Sequence, residues 1–584
     1  MPLLLSPAGS MASLKAAIDA GCDEVFLGGN DFNARINASN FDRSALARAG
    51  EICRNANVGL HITLNTLIYD REFGSVSEYV DFLCREVGPD ALIVQDAGLA
   101  YILRRDFPNL ALHASTQMRI HSALEAENLQ KMGFTRAVIA RELSKEDIES
   151  FAKSGLETEI FVHGAICVSE SGGCLMSSVI GNRSGNRGEC AQPCRLPYKG
   201  KNRFPLSLKD MCLANHIKEI CDIGVTSLKI EGRMKSPDYV GAVTSVYRRL
   251  IDENRNANDR EMRYLADVFS RSGFTDGYFK SRINVDMFGI RREEDKRSTA
   301  AKDIKIPKAA KRPKRSNPLP SPMILPERNE DKVLHPKFQK GLVLRFEGKI
   351  PSKEFLERHF ENVARIDIPL AISTDQRFAP FKEKISVIIP RTIFKNELAE
   401  VKKQISDARN FGICHATVSS LYQAELCDGF FIHGDYALNV VNRNTIELLD
   451  RYSFSSIMLS PETDGKFSKG SKSALEYIGY GRTPLMYTRT CIICNIEGCQ
   501  KKKKCISKLV DRTGAFFPVI SAHNHTNIIY NSLPAYRLDR KAELKKCGVG
   551  LLTLLFTTET EREMDEIIAI ANTKEKPKFQ YTRR

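Results

Sequence analysis

Along the first half of the chain, short apolar runs rich in Val, Ile and Leu alternate with longer stretches of helical spacing. The runs are "PLLLSPAG" (2–9), "EVFLGG" (24–29), "VGLHITLN" (58–65), "ALIVQD" (91–96), "ALHAST" (111–116), "RAVIARE" (136–142), "TEIFVHG" (158–164) and "SLKIEG" (227–232). Apolar runs of about 4–8 residues bounded by turn formers read as buried strands. Between them, segments such as "SMASLKAAIDAG" and "SALEAENLQKMG" carry helical periodicity and stop at Gly, a common helix terminator. Eight strand–helix units within about 280 residues match a (β/α)8 barrel better than a doubly wound open sheet.

The second half repeats the pattern. Candidate strands are "LVLRFEG" (342–348), "ARIDIPL" (364–370), "SVIIPR" (386–391), "GICHAT" (412–417), "GFFIHGD" (429–435), "SIMLSPE" (456–462), "LEYIGYG" (475–481) and "VGLLTLLFT" (549–557). "LALHASTQMRIHSALEAENLQKMGFTRAVIARELS" and "GFFIHGDYALNVVNRNTIELLDRYSFSSIMLSPET" both run strand, polar turn, helix, strand, ending near an acid at Glu142 or Glu462. In each half a long insertion follows strand seven, and each insertion carries four cysteines. The expectation is a TIM-like α/β barrel at 1–287 with a Cys-rich insertion. A basic, Pro-rich linker follows at 288–340, then a diverged α/β barrel-like domain at 341–584 with its own Cys cluster.

Barrel chemistry gathers at the C-terminal ends of the strands. The polar residues there are Asn65, Asp96, His113, Gln117, Glu142, His163, Glu231 and Arg233. Singly, each reads as a hydrogen-bonding or capping residue. Together, at matching positions of several strands, they point to one pocket. His113, Gln117, Glu142, His163, Glu231 and Arg233 are expected to converge there, with Glu142 or His163 as the proton-transfer group. Arg233 suits a substrate carboxylate or phosphate in a two-pronged contact.

Composition enters at the thiols. The chain has 584 residues, 42% of them hydrophobic, and 16 cysteines. No apolar run reaches the ~18 residues of a membrane helix, so a cytosolic, reducing compartment is expected, where cysteines do not form a disulfide framework. Cys22, Cys53, Cys84, Cys212, Cys221, Cys414, Cys427 and Cys547 are scattered and read as small apolar residues. The others cluster. Cys167, Cys174, Cys190 and Cys194 follow C-x6-C-x15-C-x3-C in the first insertion. This spacing leaves tetrahedral Zn and an iron–sulfur cluster equally open. Cys491, Cys494, Cys499 and Cys505 follow C-x2-C-x4-C-x5-C, a metal signal for Zn or a second cluster, with free surface thiols as the bland alternative.

The formal net charge is +15, and residues 291–315 carry 11 Lys/Arg against 4 Asp/Glu. This arm is either a solvated tether or a phosphate-binding segment. Lys501 to Lys504, inside the second cysteine cluster, offer the same two readings. The chain has no Trp and no aromatic RNA-recognition motif. H-E-x-x-H and G-x-S-x-G are also absent, which argues against a zinc peptidase and a serine hydrolase.

The run "HGAICVSESGGCLMSSVIGNRSGNRGECAQPCRLPY" resembles the signature of the peptidase U32 family, the collagenase-like proteins. "LLSPAGSMASLKAAIDAGCDEVFLGG", "FNARINASNF", "LHASTQM", "ARELSKEDI", "SLKIEGRMKSPDYVGAVTSVYRRLID" and "FSRSGFTDGYF" agree with it, so the resemblance covers residues 1 to about 285. The C-terminal half resembles the extension of longer members, which include the type that hydroxylates a cytidine of 23S ribosomal RNA. The resemblance implies a [4Fe–4S] cluster on Cys167, Cys174, Cys190 and Cys194. It also implies oxygen-independent hydroxylation of a pyrimidine in ribosomal or transfer RNA, with a prephenate-like small molecule as oxygen donor. Two other readings stand beside it. One is a collagenase-like peptidase with a Cys167–His163 dyad, and the other is a non-catalytic RNA-binding protein whose metals are structural.

Overall fold

The computed structural model describes residues 1–36, 39–291, 320–328, 339–463, 471–498, 505–573, 577 and 579–582. Most of the expected linker (292–319 and 329–338) lies outside the described residues, as do Cys499 and Lys501 to Lys504. The chain divides into two compact units. The first comprises Met1–Leu67, Arg71–Ile324 and Met486–Ile528; the second comprises Ile68–Asp70, Leu325–Leu485 and Ile529–Arg584.

In the first unit the strands are β1 (Leu3–Pro7), β2 (Glu24–Leu27), β3 (Gly59–Leu64), β4 (Ala91–Val94), β5 (Leu112–Ala114), β6 (Phe134–Val138), β7 (Glu157–Ala165), β8 (Asp210–Cys212), β9 (Ser227–Ile230) and β10 (Phe274–Thr275). Strands β1 to β7 and β9 run parallel, and β9 pairs with both β7 and β1, which closes an eight-stranded barrel. β8 adds antiparallel to β7, and β10 pairs with β8. All eight strands expected from the apolar runs are present. Side-chain caps start several of the intervening helices. Asp42 accepts from the Ala45 amide at 2.7 Å, Asp96 from the Leu99 amide at 2.9 Å, and Ser144 with Asp147 forms a reciprocal capping box. Each cap satisfies a donor that the first helical turn leaves unpaired. Asp96 is therefore a cap.

The second barrel is built from β11 (Gly341–Phe346), β12 (Arg365–Pro369), β13 (Ile385–Ile388), β14 (His415–Val418), β15 (Phe431–Gly434), β16 (Ser456–Met458), β17 (Ala474–Gly481) and, after an insertion, β23 (Val549–Phe556). The parallel pairings of β23 with β17 and β11 close it. The insertion contains β18 (Pro484–Thr488), β19 (Ile506–Val510), β20 (Phe516–Ser521) and β21 (Asn527–Tyr530), in sheet order β18-β21-β20-β19, then β22 (Ala535–Tyr536) against β17.

The two barrels share register as well as topology. Ile93, His113 and Arg136 stand side by side on strands four to six of the first; Thr417, His433 and Ser456 do so in the second. Following the pairings around each ring matches Glu159 with Glu476, Glu24 with Arg365 and His61 with Ser386. The turn after strand five is also repeated. Ser115 and Asp435 accept from the amides of Gln117 and Ala437, and left-handed Arg119 (φ 62°) and Asn439 (φ 54°) end the turns. The internal repeat read from the two aligned stretches is real.

One placement differs from expectation. The second cysteine insertion was expected within the 341–584 domain, but Met486–Ile528 belongs to the first unit. Its backbone pairs there: Glu170 N donates to Tyr487 O (2.9 Å) and Lys199 N to Val510 O (2.7 Å), while Asn495 Nδ2 donates to Pro205 O (2.9 Å). Nothing in the linear pattern records which surface an insertion packs on.

Candidate active site

The loop between β7 and β8 closes over the C-terminal ends of the first barrel's strands. It bounds a cavity of about 330 Å³ whose wall includes Cys167, Cys174, Cys190 and Cys194, with Thr63, Ser115, Phe161 and Lys229 from the strand ends. Three sets of contacts hold the loop. Arg195 donates to Ile166 O (2.9 Å) and Ser207 Oγ (2.9 Å); Arg187 makes a two-pronged pair with Glu72 (2.6 and 2.9 Å); the Ala191 amide donates to Ser177 Oγ (2.9 Å). Gly172 sits at φ +80°, where a Cβ would stand 2.0 Å from Gln117 O. Only glycine allows the loop to approach the mouth this closely.

Burial is the main influence on Cys167, Cys174 and Cys194. It pushes Cys174 well above the ordinary thiol range, and Cys167, Cys190 and Cys194 push it further. Cys194 is raised to about 12, first by burial and then by Cys167. Such mutually repelling groups ionise together only around a multivalent cation. Among the described residues, the one group of three or more metal-capable donors within 4.8 Å of one another is His61, His113 and Glu159. No three of the mouth thiols are therefore that close. Tetrahedral Zn with bonds of ~2.3 Å needs sulfurs about 3.8 Å apart. That spacing is wider than one tetrahedral Zn requires, and four thiolates on one wall are the donor set an iron–sulfur cluster takes.

Among the charged residues of the wall, cations dominate. Arg35, Arg141, Arg195, Lys229, Arg233, Lys235 and Arg271 line the cavity, against Glu170 and Glu231. Glu231 lies 3.4 Å from Arg35 and 3.6 Å from Arg141. Burial raises its pKa, but Arg35, Arg141, Arg233 and Lys229 outweigh that and hold the carboxyl below its ordinary value. Arg233 is lowered to about 9, first by burial and then by Arg35. It donates to Thr63 Oγ1 (3.0 Å) and Asn33 Oδ1 (3.3 Å). The arrangement suits an anion carrying more than one negative group.

Of the six residues expected to converge here, Gln117, Glu231 and Arg233 line the cavity. So does Asn65, whose Nδ2 donates to Gln117 Oε1 at 2.8 Å. His113, Glu142 and His163 do not. His113 points inward but one layer below the mouth, where Ile93 and Arg136 flank it in register. A β-bulge between Phe161 and His163 turns His163 out of the inward alternation. It packs instead against Tyr247 and Phe274, and burial lowers it to about 3. Glu142 is buried 3.8 Å from His121, and Arg489 donates to its backbone carbonyl. Burial raises its carboxyl above the ordinary value. The Cys167–His163 dyad is not formed, and no histidine among the described residues lines the cavity.

Sequence reasoning missed Arg35, Arg141, Lys229 and Lys235. Lys229 was legible: with Glu231 and Arg233 it occupies alternate positions, which a strand sends to one face. Arg35 and Arg141 sit outside the strands, where no period identifies them. In the second cluster, Cys491, Cys494 and Cys505 are half-buried in the first unit. Cys491 Sγ accepts from the Cys494 amide at 3.4 Å.

Fold and site together define a TIM-like barrel protein with a cationic mouth walled by four thiols. The profile of peptidase family U32 matches residues 9–287. The chain is 33% identical over 306 residues to a collagenase of Porphyromonas gingivalis, covering 47% of this chain and 73% of that protein. It is 40% identical over 259 residues to the 23S rRNA 5-hydroxycytidine C2501 synthase of Escherichia coli, covering 43% of this chain and 39% of that protein. It is 36% identical over 267 residues to tRNA hydroxylation protein P1 of Bacillus subtilis, covering 43% of this chain and 63% of that protein. The chain belongs to peptidase family U32. Its match spans less than two thirds of these two RNA-hydroxylation relatives.

Proposed function

We propose that the protein modifies ribosomal or transfer RNA, placing a hydroxyl group on a pyrimidine without molecular oxygen, at the mouth of the first barrel. One observation carries the reading: four thiols and seven cations converge on a single cavity with two carboxylates. The names of the Escherichia coli and Bacillus subtilis relatives support an RNA substrate. Cys167, Cys174, Cys190 and Cys194 would hold a [4Fe–4S] cluster, whose bound form supplies electron-transfer chemistry. Arg35, Arg141 and Arg233 would orient the anionic groups present, namely nucleotide phosphate and the carboxylates of a prephenate-like oxygen donor. Glu231, held ionised beside them, is the available proton acceptor. These three arginines and Glu231 take the place of His113, Glu142 and His163.

A buried cavity can act on a nucleobase only once the base is unstacked or already single-stranded. The backbone would then be held elsewhere, by the 291–315 arm and Lys501 to Lys504, which lie largely or wholly outside the described residues. Cys491, Cys494, Cys499 and Cys505 would hold Zn or a second cluster. Work on RNA implies the cytoplasm, and among the described residues no helix is long and apolar enough to cross a membrane. The peptidase reading lacks its base, because the only histidine near Cys167 in sequence faces away from the cavity.

Anaerobic purification tests the proposal together with RNA mass spectrometry of a deletion strain. The wild-type chain should carry iron and sulfide. Cys174→Ser should lose one cluster's share of both while keeping its far-ultraviolet circular dichroism. The deletion strain should lose one hydroxylated pyrimidine, restored by the wild-type gene and not by the Cys174→Ser gene. Full iron in Cys174→Ser, or an unchanged RNA hydroxylation profile in the deletion strain, would overturn it.

A further inference from the structure

One layer beneath the mouth, His61 of β3, His113 of β5 and Glu159 of β7 face one another across the barrel interior. One donor atom from each lies within 4.8 Å of the others. They come from alternate strands, as the side chains of one barrel layer do. All three are fully buried, and the two imidazoles meet edge to face with centroids 4.7 Å apart. Both ring nitrogens of His61 and both of His113 have no hydrogen-bond partner. Buried polar atoms are ordinarily satisfied, so four such atoms in one place require an explanation.

The second barrel provides the comparison. His433 occupies the position of His113. Its Nδ1 lies 2.8 Å from Ser456 Oγ and 2.9 Å from Arg365, and its Nε2 lies 3.1 Å from His415 Nδ1. Protein groups satisfy the histidine of this layer in one barrel and leave it unsatisfied in the other.

We propose that His61, His113 and Glu159 bind a divalent transition-metal cation, Zn2+ or Fe2+, inside the first barrel. Two imidazoles and a carboxylate are a donor set that these borderline cations accept. The electrostatics permit it. Glu24, Glu157 and Glu159 face Arg136 and Lys229, so carboxylates exceed cations by one. Burial first, then Arg136, keeps His113 neutral, the form that ligates. Arg136 and Lys229 each contact one Glu159 oxygen, at 3.2 and 2.8 Å, which fixes the carboxylate and leaves lone pairs free. Glu24, 3.6 Å from His61 Nε2, is placed to orient that ring from outside the donor set. The site is separate from the thiols of the mouth and does not depend on the RNA reading.

The experiment measures metal on the full-length chain by elemental mass spectrometry, after folding with added Zn2+. His61→Ala and His113→Ala should each hold one equivalent less than wild type. Cys174→Ser should keep that equivalent. X-ray absorption at the Zn edge of the wild type should show N/O ligands at ~2.0–2.1 Å in addition to any sulfur at ~2.3 Å. Equal metal content in wild type and folded histidine variants would overturn the proposal. Should the variants fail to fold, a wild-type spectrum with sulfur ligation alone would overturn it.

Discussion

At the scale of residues, the mouth is governed by how its charges are buried together. Lys235, on the rim, is lowered to about 7, first by burial and then by Arg271; Arg291 adds to this, and Asp210 and Glu231 oppose it. Its ammonium lies over the rings of Phe269 and Tyr239, which stabilise a cation but do not restore the lost hydration. Below about pH 7 the side chain is charged and strengthens the hold on an anion; above it the charge is lost. Phosphate affinity measured by calorimetry should therefore fall several-fold as pH rises from 6 to 8, and Lys235→Met should flatten that slope. Identical profiles for the two proteins would refute the assignment. The stability contribution has the opposite trend. The folded pKa lies below the unfolded value of about 10.4, so between about pH 7 and 10 the unfolded chain binds more protons, and this group's contribution rises with pH.

At the scale of elements, the β7–β8 loop carries the site. Its clearest anchor is the partly buried two-pronged pair of Arg187 with Glu72 (2.6 and 2.9 Å), joined by a 2.7 Å bond from Arg187 to Leu67 O. Arg187→Ala removes all three bonds and leaves Glu72 partly desolvated. It should destabilise the protein by about 2–3 kcal/mol in denaturant unfolding and hasten iron loss from the proposed cluster under chelation. Unchanged stability and iron retention would mean that the loop is held by its other contacts. Much of this scale was legible in advance. Sixteen barrel strands stand out because parallel strands are buried on both faces and read as apolar runs. The thiol clustering was legible because chain proximity limits how far apart loop residues can lie. What escaped was direction and depth. His163 was misplaced by a bulge that no pattern announces, and His113 by layering. His113 lies within β5 and Ser115 just past its end, and only Ser115 reaches the mouth.

At the scale of the molecule, the same barrel occurs twice in one register, with opposite solutions to its interior. In the second barrel Arg365 meets Asp367 (2.6 Å), Glu476 (2.9 Å) and His433 (2.9 Å), so protein groups pair the ring and the carboxylates of the inner layer. In the first, Arg136 and Lys229 serve the carboxylates, and the cavity opens above them. The first barrel also takes in a segment from far along the chain. Met486 lines the cavity, and the Glu170 amide of the cysteine loop donates to Tyr487 O at 2.9 Å. The Tyr487 amide answers with a bond to Ser169 Oγ at 3.4 Å. The first site is therefore completed by residues far downstream of its cysteines, Tyr487 lying 318 positions after its partner Ser169. A chain ending at Ile324 keeps all eight strands of the first barrel but leaves buried Ser169 and Glu170 without Tyr487, and the cavity without one wall. Each buried hydrogen bond lost in this way costs about 1–3 kcal/mol. The truncated chain should melt lower than the first transition of the full-length protein and retain less of the proposed cluster's iron after anaerobic desalting. Equal melting and equal iron would show that the barrel holds its mouth closed without the segment.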